Sequence, residues 1–167
     1  AARARLWQGR KKAFGAMGRI APHLVVQDAV VPRTRLTALL AQIAVIGARH
    51  RVRVANVFHA GDGNLHPLIL FDQRDRDQLR RVVAAAGEII QFCVQVGGTL
   101  TGEHGVGMEK SELMPLMFSD ADLDLMKGVR AVFNPTGRLN PDKILPLSKG
   151  CGELRIQPLA GGPPTPA

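Results

Sequence analysis

From Thr34 onward the apolar positions Leu36, Leu39, Leu40, Ile43 and Ile46 recur every three or four residues, the spacing of one face of a helix, and predict a helix ending near His50. A second stripe, Leu79, Val82, Val83, Ala86, Ile89, Ile90 and Cys93, predicts a longer helix. Asp75 and Gln78 suit its capping box and Gly97-Gly98 its stop. Between the two, Val52–His59 and Leu65–Phe71 read as paired strands around Gly61-Asp62-Gly63-Asn64. The Val-rich run His23–Val31, closed by Pro32, predicts a strand, and Thr99–Thr101 a short one. At the start, Leu6, Trp7, Arg10 and Phe14 suit a short helix interrupted or ended by Gly15 and Gly18, with Trp7 as a packing residue. Near the end, Ser119 caps a helix whose buried stripe is Leu123, Met126, Val129 and Phe133.

Residues 23 to 102 thus run strand, helix, strand, strand, helix, strand, the order of a ferredoxin-like α+β fold. This predicts an antiparallel sheet with helices packed on one face, plus a C-terminal helical segment, over residues 1–147. The Gly- and Pro-rich residues 148–167 are expected to form a mobile tail. The bare face of such a sheet is suited to cover a partner domain.

Composition narrows the function. The 167 residues are 46% apolar, enough for a packed core. A net charge of +8 raises nucleic acid as a partner. The basic residues are scattered, apart from a bias in the first twenty positions, and no groove-reading or base-stacking motif accompanies them, so nucleic acid is not expected. Cys93 and Cys151 have no pairing or metal-type spacing, which suits a reduced, cytoplasmic setting. No apolar run is long enough to span a membrane, and no signal peptide opens the chain. The abrupt cationic start suggests part of a longer protein.

The chemistry centres on the hairpin. With Asp62-Gly63 in a two-residue type I′ turn, His59 lies directly opposite His66, and opposed side chains share a face closely enough to hold one metal ion. Glu103-His104, behind a glycine-rich turn, offers a third ligand; neighbours on extended backbone point to opposite sides, so either could serve. Two imidazoles and a carboxylate leave positions open for water or substrate and suit Zn, Fe(II), Mn or Co. A metal-dependent hydrolase or a non-haem iron oxygenase could use the same set. One tension follows. In a plain ferredoxin-like sheet this hairpin lies at the opposite edge from the C-terminal end of the fourth strand. Residues 99–101 must therefore be placed differently, or the sheet must be larger.

Three motifs in order, His59-Ala60-Gly61-Asp62-Gly63-Asn64-Leu65-His66, Gly98 to Gly107, and Phe133-Asn134-Pro135 to Asn140-Pro141-Asp142-Lys143-Ile144-Leu145-Pro146, resemble the C-terminal domain of FAD-linked oxidases, the family of glycolate oxidase flavin subunits and D-lactate and D-2-hydroxyglutarate dehydrogenases. The resemblance implies that His59, His66 and Glu103 bind a divalent metal (Zn, Fe or Mn) and that His104 is the acid/base group. It also implies that Arg10, three residues after Trp7, binds the substrate carboxylate, and that Asn140 and Lys143 lie near the flavin. Phe14 and Val26 stand where some members have Thr and Lys, which favours glycolate or D-lactate over a dicarboxylate. The expected reaction is oxidation of a 2-hydroxy acid to the 2-oxo acid. FAD would be held mainly by an N-terminal domain not in this chain, and this chain alone would not turn over. An iron–sulfur electron-acceptor subunit, and through it peripheral attachment to a membrane, are further implied partners.

Overall fold

The computed structural model describes residues 2–146. The chain forms two compact units, Ala1–Gly105 and Val106–Ala167. The expected tail lies outside the described residues.

In the first unit, helix α1 (Ala2–Met17) precedes strands β1 (His23–Val26) and β2 (Ala29–Val30), helix α2 (Leu36–His50), the hairpin β3 (Arg53–His59) and β4 (Asn64–Phe71), and helix α3 (Arg76–Gln95). Strand β4 is central, with β3 antiparallel on one side and β1 and β2 antiparallel on the other. The register of β1 continues unchanged into β2: Val26 opposes Leu68 and Ala29 opposes Leu65. The run from His23 to Val30 is therefore one strand interrupted at Gln27 and Asp28. Pro67 causes the interruption. It accepts a hydrogen bond from Gln27 N at 2.9 Å but has no N–H to return.

The helices cover one sheet face. Leu39, Ile43 and Ile46 of α2 and Val82, Ala85, Ile89, Ile90 and Cys93 of α3 are buried there with Leu65 and Ile69. Gly47 of α2 is tight against Val54 of β3, the partner of Ile69, so strand alternation sends His59, Asn64 and His66 to the other face. Asp75 caps α3 by accepting from Gln78 N at 2.9 Å. The Gln78 side chain accepts from Asp72 N rather than completing the expected box. Val83, placed on the buried stripe by its spacing, is 61% exposed. Helix α1 buries no residue, and Trp7, expected to pack, is 55% exposed.

The fourth strand of the ferredoxin-like order shrinks to a single bridge, Thr99 antiparallel to Val30, with Thr99 N donating to Val30 O at 2.9 Å. The chain reaches it from α3 through Gly97, in a left-handed conformation, and Gly98, whose N–H donates to Cys93 O at 2.8 Å. Because that strand ends almost as it begins, the backbone turns across the hairpin end of the sheet, and the geometric tension in the sequence reading disappears.

The second unit holds a 3-10 segment (Ser111–Leu116) and helix α4 (Asp120–Phe133). Ser119 caps α4 in a full capping box with Asp122. Of its expected buried stripe only Leu123 is buried; Val129 is 55% and Phe133 77% exposed. Spacing tells which side of a helix is apolar but not what lies against it.

A Cβ on Gly98 would run into the carbonyl oxygens of Val30 and Cys93 and the Val31 side chain. Gly98→Ala is therefore expected to destabilise the protein by about 2–4 kcal/mol, as large as a severe core change, with a lowered urea midpoint by circular dichroism as the check. An unchanged midpoint would mean that the bridge to Val30 is dispensable.

Candidate metal centre

The hairpin forms, but in a different register from the two-residue turn. His59 pairs with Asn64, Phe58 with Leu65 and Val57 with His66, so four residues, 60–63, make the loop. Asp62 N donates to His59 O at 3.0 Å, and Gly63, at φ +77°, presses its backbone against Val31 while its carbonyl accepts from Val31 N at 3.0 Å. Gly63 is thus occupied by contact with the neighbouring strand and does not serve a tight I′ turn. The pairing slips by two residues in all, an even step, so His59 and His66 keep a common face as diagonal neighbours. Their rings meet edge to face with centroids 5.6 Å apart.

On the other side of His66 stands Asp28. The unbroken register of β1 and β2 places it directly across from His66, and its Oδ1 lies 3.9 Å from His66 Nδ1. Its Oδ2 accepts from the Thr101 hydroxyl (2.5 Å) and from the backbone N–H groups of Gly102 (2.6 Å), Glu103 (2.9 Å) and His104 (2.9 Å). Thr101 Oγ1 in turn accepts from Gly105 N at 2.9 Å. The loop therefore wraps a buried carboxylate instead of running extended. The alternation expected of Glu103 and His104 is lost, and both side chains reach His66. Glu103 Oε1 lies 2.9 Å from His66 Nε2 and 3.7 Å from His59 Nε2. The His104 ring stacks on the His66 ring, centroids 4.8 Å apart and planes 11° from parallel.

Burial alone would push the Asp28 carboxyl up, but its bonds from the Thr101 hydroxyl and the N–H groups of His104, Gly102 and Glu103 prevail and hold it well below the usual carboxylate range. His66, 3% exposed, is shifted down, first by burial and then by the charge of His104, against the opposing pull of Asp28 and Glu103. A histidine kept neutral is what a metal ligand requires. His59, His66 and Glu103 bring one ligand atom each within 4.8 Å of one another, and Asp28, His66 and His104 form a second such group. Ligands about 2.0–2.2 Å from one ion lie roughly 3.0–3.5 Å apart at adjacent positions. The 2.9 and 3.7 Å separations to Glu103 are close to that range. His66 Nδ1 and Asn64 Oδ1 are buried and have no hydrogen-bond partner among the described residues. The donor set fits a divalent ion.

The other expected site residues belong to other elements. Arg10 is half-buried on α1 and, among the described residues, makes no ion pair. Asn140 and Lys143 belong to the second unit, where Arg130 donates to the Asn140 and Lys143 carbonyls and the Asn134 side chain brackets Leu139. Asn140, Asp142 and Ile144 all have positive φ, at 44°, 59° and 73°, so the closing motif is a tightly wound loop pinned to α4. Asp28 and Thr101 were missed in the sequence. A signal for Asp28 was there, a lone carboxylate inside Val25-Val26-Gln27-Asp28-Ala29-Val30-Val31, because an acid in an apolar strand needs partners.

Comparison with known proteins identifies the family. A family model described as FAD linked oxidases, C-terminal domain, matches residues 1–144. The chain is 45% identical over 154 residues to the glycolate oxidase subunit GlcD of Escherichia coli (strain K12), covering 92% of this chain and 31% of that protein. It is 31% identical over 149 residues to a probable mitochondrial D-lactate dehydrogenase of Danio rerio, covering 88% and 30%. To a D-2-hydroxyglutarate dehydrogenase of Stutzerimonas stutzeri (strain A1501) it is 34% identical over 143 residues, covering 83% and 30%. The chain thus spans about a third of the length of these relatives. Matched over residues 1–144 by that family model and 45% identical over 92% of its length to such a relative, the chain belongs to the FAD-linked oxidase C-terminal domain family.

Proposed function

We propose that this chain is the substrate- and metal-binding part of an FAD-dependent enzyme that oxidises glycolate or a D-2-hydroxy acid such as D-lactate to the 2-oxo acid. The observation that carries the reading is the convergence of His59, His66 and Glu103 with the His104 ring stacked beside them. The donor set alone suits a hydrolase or a non-haem iron oxygenase equally; family membership favours flavin chemistry. The names of the relatives, a glycolate oxidase subunit and D-lactate and D-2-hydroxyglutarate dehydrogenases, support the substrate class.

When bound, a divalent ion would act as a Lewis acid that lowers the pKa of the substrate α-hydroxyl, and FAD, held mainly by a domain beyond this chain, would accept the Cα hydride. The chain's own residues do the rest. His104, exposed on its loop yet held by its backbone N–H to Asp28, takes the hydroxyl proton. Arg10 binds the substrate carboxylate through its planar, two-pronged guanidinium. Phe14 and Val26 give a second carboxylate no partner, which favours glycolate or lactate over a dicarboxylate. Asn140 and Lys143 contact the flavin. The electrons leave to an acceptor subunit of iron–sulfur type, and the enzyme works in the cytoplasm, at the membrane only through such partners. Among the described residues no helix is long and apolar enough to cross a membrane.

Three outcomes are expected in the full-length flavoprotein. Glu103→Gln and His66→Ala should each abolish tight metal binding by elemental analysis with flavin retained; unchanged metal content in both would remove the site. His104→Ala should lower kcat by about 10²–10⁴ with metal intact, and a parallel loss of metal would make it a ligand. Arg10→Ala should lower kcat/KM for glycolate about 10- to 150-fold and erase the preference for the acid over the matching uncharged diol. A preference that persists would leave Arg10 as a surface charge.

A further inference from the structure

Glu103 and His104 sit on a glycine-rich loop at the hairpin end of the sheet. Gly102, Gly105 and Gly107 punctuate it, the latter two with positive φ, and the Glu103 side chain is 53% exposed. Glycines widen the choice of backbone conformations, so such a loop would sample many arrangements unless tethered. Most of the loop's backbone bonds among the described residues converge on one atom, Oδ2 of Asp28, which collects three consecutive N–H groups and the Thr101 hydroxyl. The loop is also pressed onto the strands, where a Cβ on Gly102 would strike Val30, Asn64 and Asp28. Asp28 meanwhile faces His66 Nδ1 at 3.9 Å, on the side of the ring away from the Nε2 that meets Glu103. At that distance it acts by charge, favouring the tautomer with its proton on Nδ1 and so freeing the Nε2 lone pair.

From this geometry we propose that Asp28 is the positioning residue of the site, one carboxylate that sets Glu103 and His104 through their backbone and His66 through its ring, and so determines metal affinity and coordination geometry without touching the ion. The proposal rests on the metal reading above and makes a separate claim: the ligands suffice only while Asp28 holds them. Partners that orient ligands typically contribute 10- to 100-fold in metal affinity.

The test is cobalt binding to the apo form of the full-length protein, read by the dissociation constant and the visible d–d band, which reports coordination geometry. The parent, Asp28→Asn, Thr101→Val and Glu103→Gln are compared, each with its melting temperature. Asp28→Asn is expected to raise the dissociation constant about 10- to 100-fold and to shift or broaden the band. Thr101→Val, which removes one donor and leaves the carboxylate, should show a weaker change in the same direction, about three- to tenfold. A lower melting temperature with unchanged affinity and band would make Asp28 merely structural and overturn the proposal, leaving the metal reading intact. If Asp28→Asn does not fold, Thr101→Val decides, and a parent-like constant and band overturn the proposal. A parent that binds cobalt no better than Glu103→Gln overturns the metal reading and, with it, the role assigned to Asp28.

Discussion

The carboxylate of Asp28, buried in the interrupted strand and bonded to four donors of one loop, is the contact on which the site's geometry depends. A buried charge is costly unless it is fully hydrogen-bonded. Here the bonds prevail over burial, which is why the group holds its proton less tightly than an ordinary aspartate. Its stabilising contribution is therefore present at neutral pH and is withdrawn as pH falls below the usual carboxylate range toward its own lowered value. The same bonds turn the chain away from the sheet after Thr99 and lay residues 102–105 over the hairpin end.

His66 is the hub of what results. It belongs to the central strand, faces Asp28 across one ladder and lies diagonal to His59 across the other. Burial favours the neutral form of the ring and its neighbours restrict its orientation, whereas His59 and Glu103 remain half exposed. One buried and two accessible donor groups would suit a site that holds an ion and also admits a second molecule. It stands on the face away from α2 and α3, so those helices can pack fully without closing the approach. In the second unit, Arg130 and Asn134 similarly gather loop carbonyls, so that Asn140 and Lys143 are held by contacts on α4 and by left-handed backbone.

Periodicity located α2 and α3, whose apolar stripes mark them in the sequence: α2 ends at His50 with Arg51 in a left-handed conformation, and α3, capped by Asp75, ends at Gln95, just before Gly97. The ferredoxin-like order and the pairing of the two histidines on one face were also legible. Side-chain direction has a period of two, and the hairpin register moved by an even step, so the shared face survived although the turn itself was misread. Only the tertiary structure decided the rest. Gly63 is claimed by Val31, Pro67 opens the ladder at Gln27, and Asp28 finds its donors more than seventy residues further along the chain. Such contacts leave no local pattern, since each residue's partner is set by how the strands align and not by its neighbours in sequence. For the same reason, Glu103 and His104 could be read as chemistry in the sequence, but their joint approach to His66 could not.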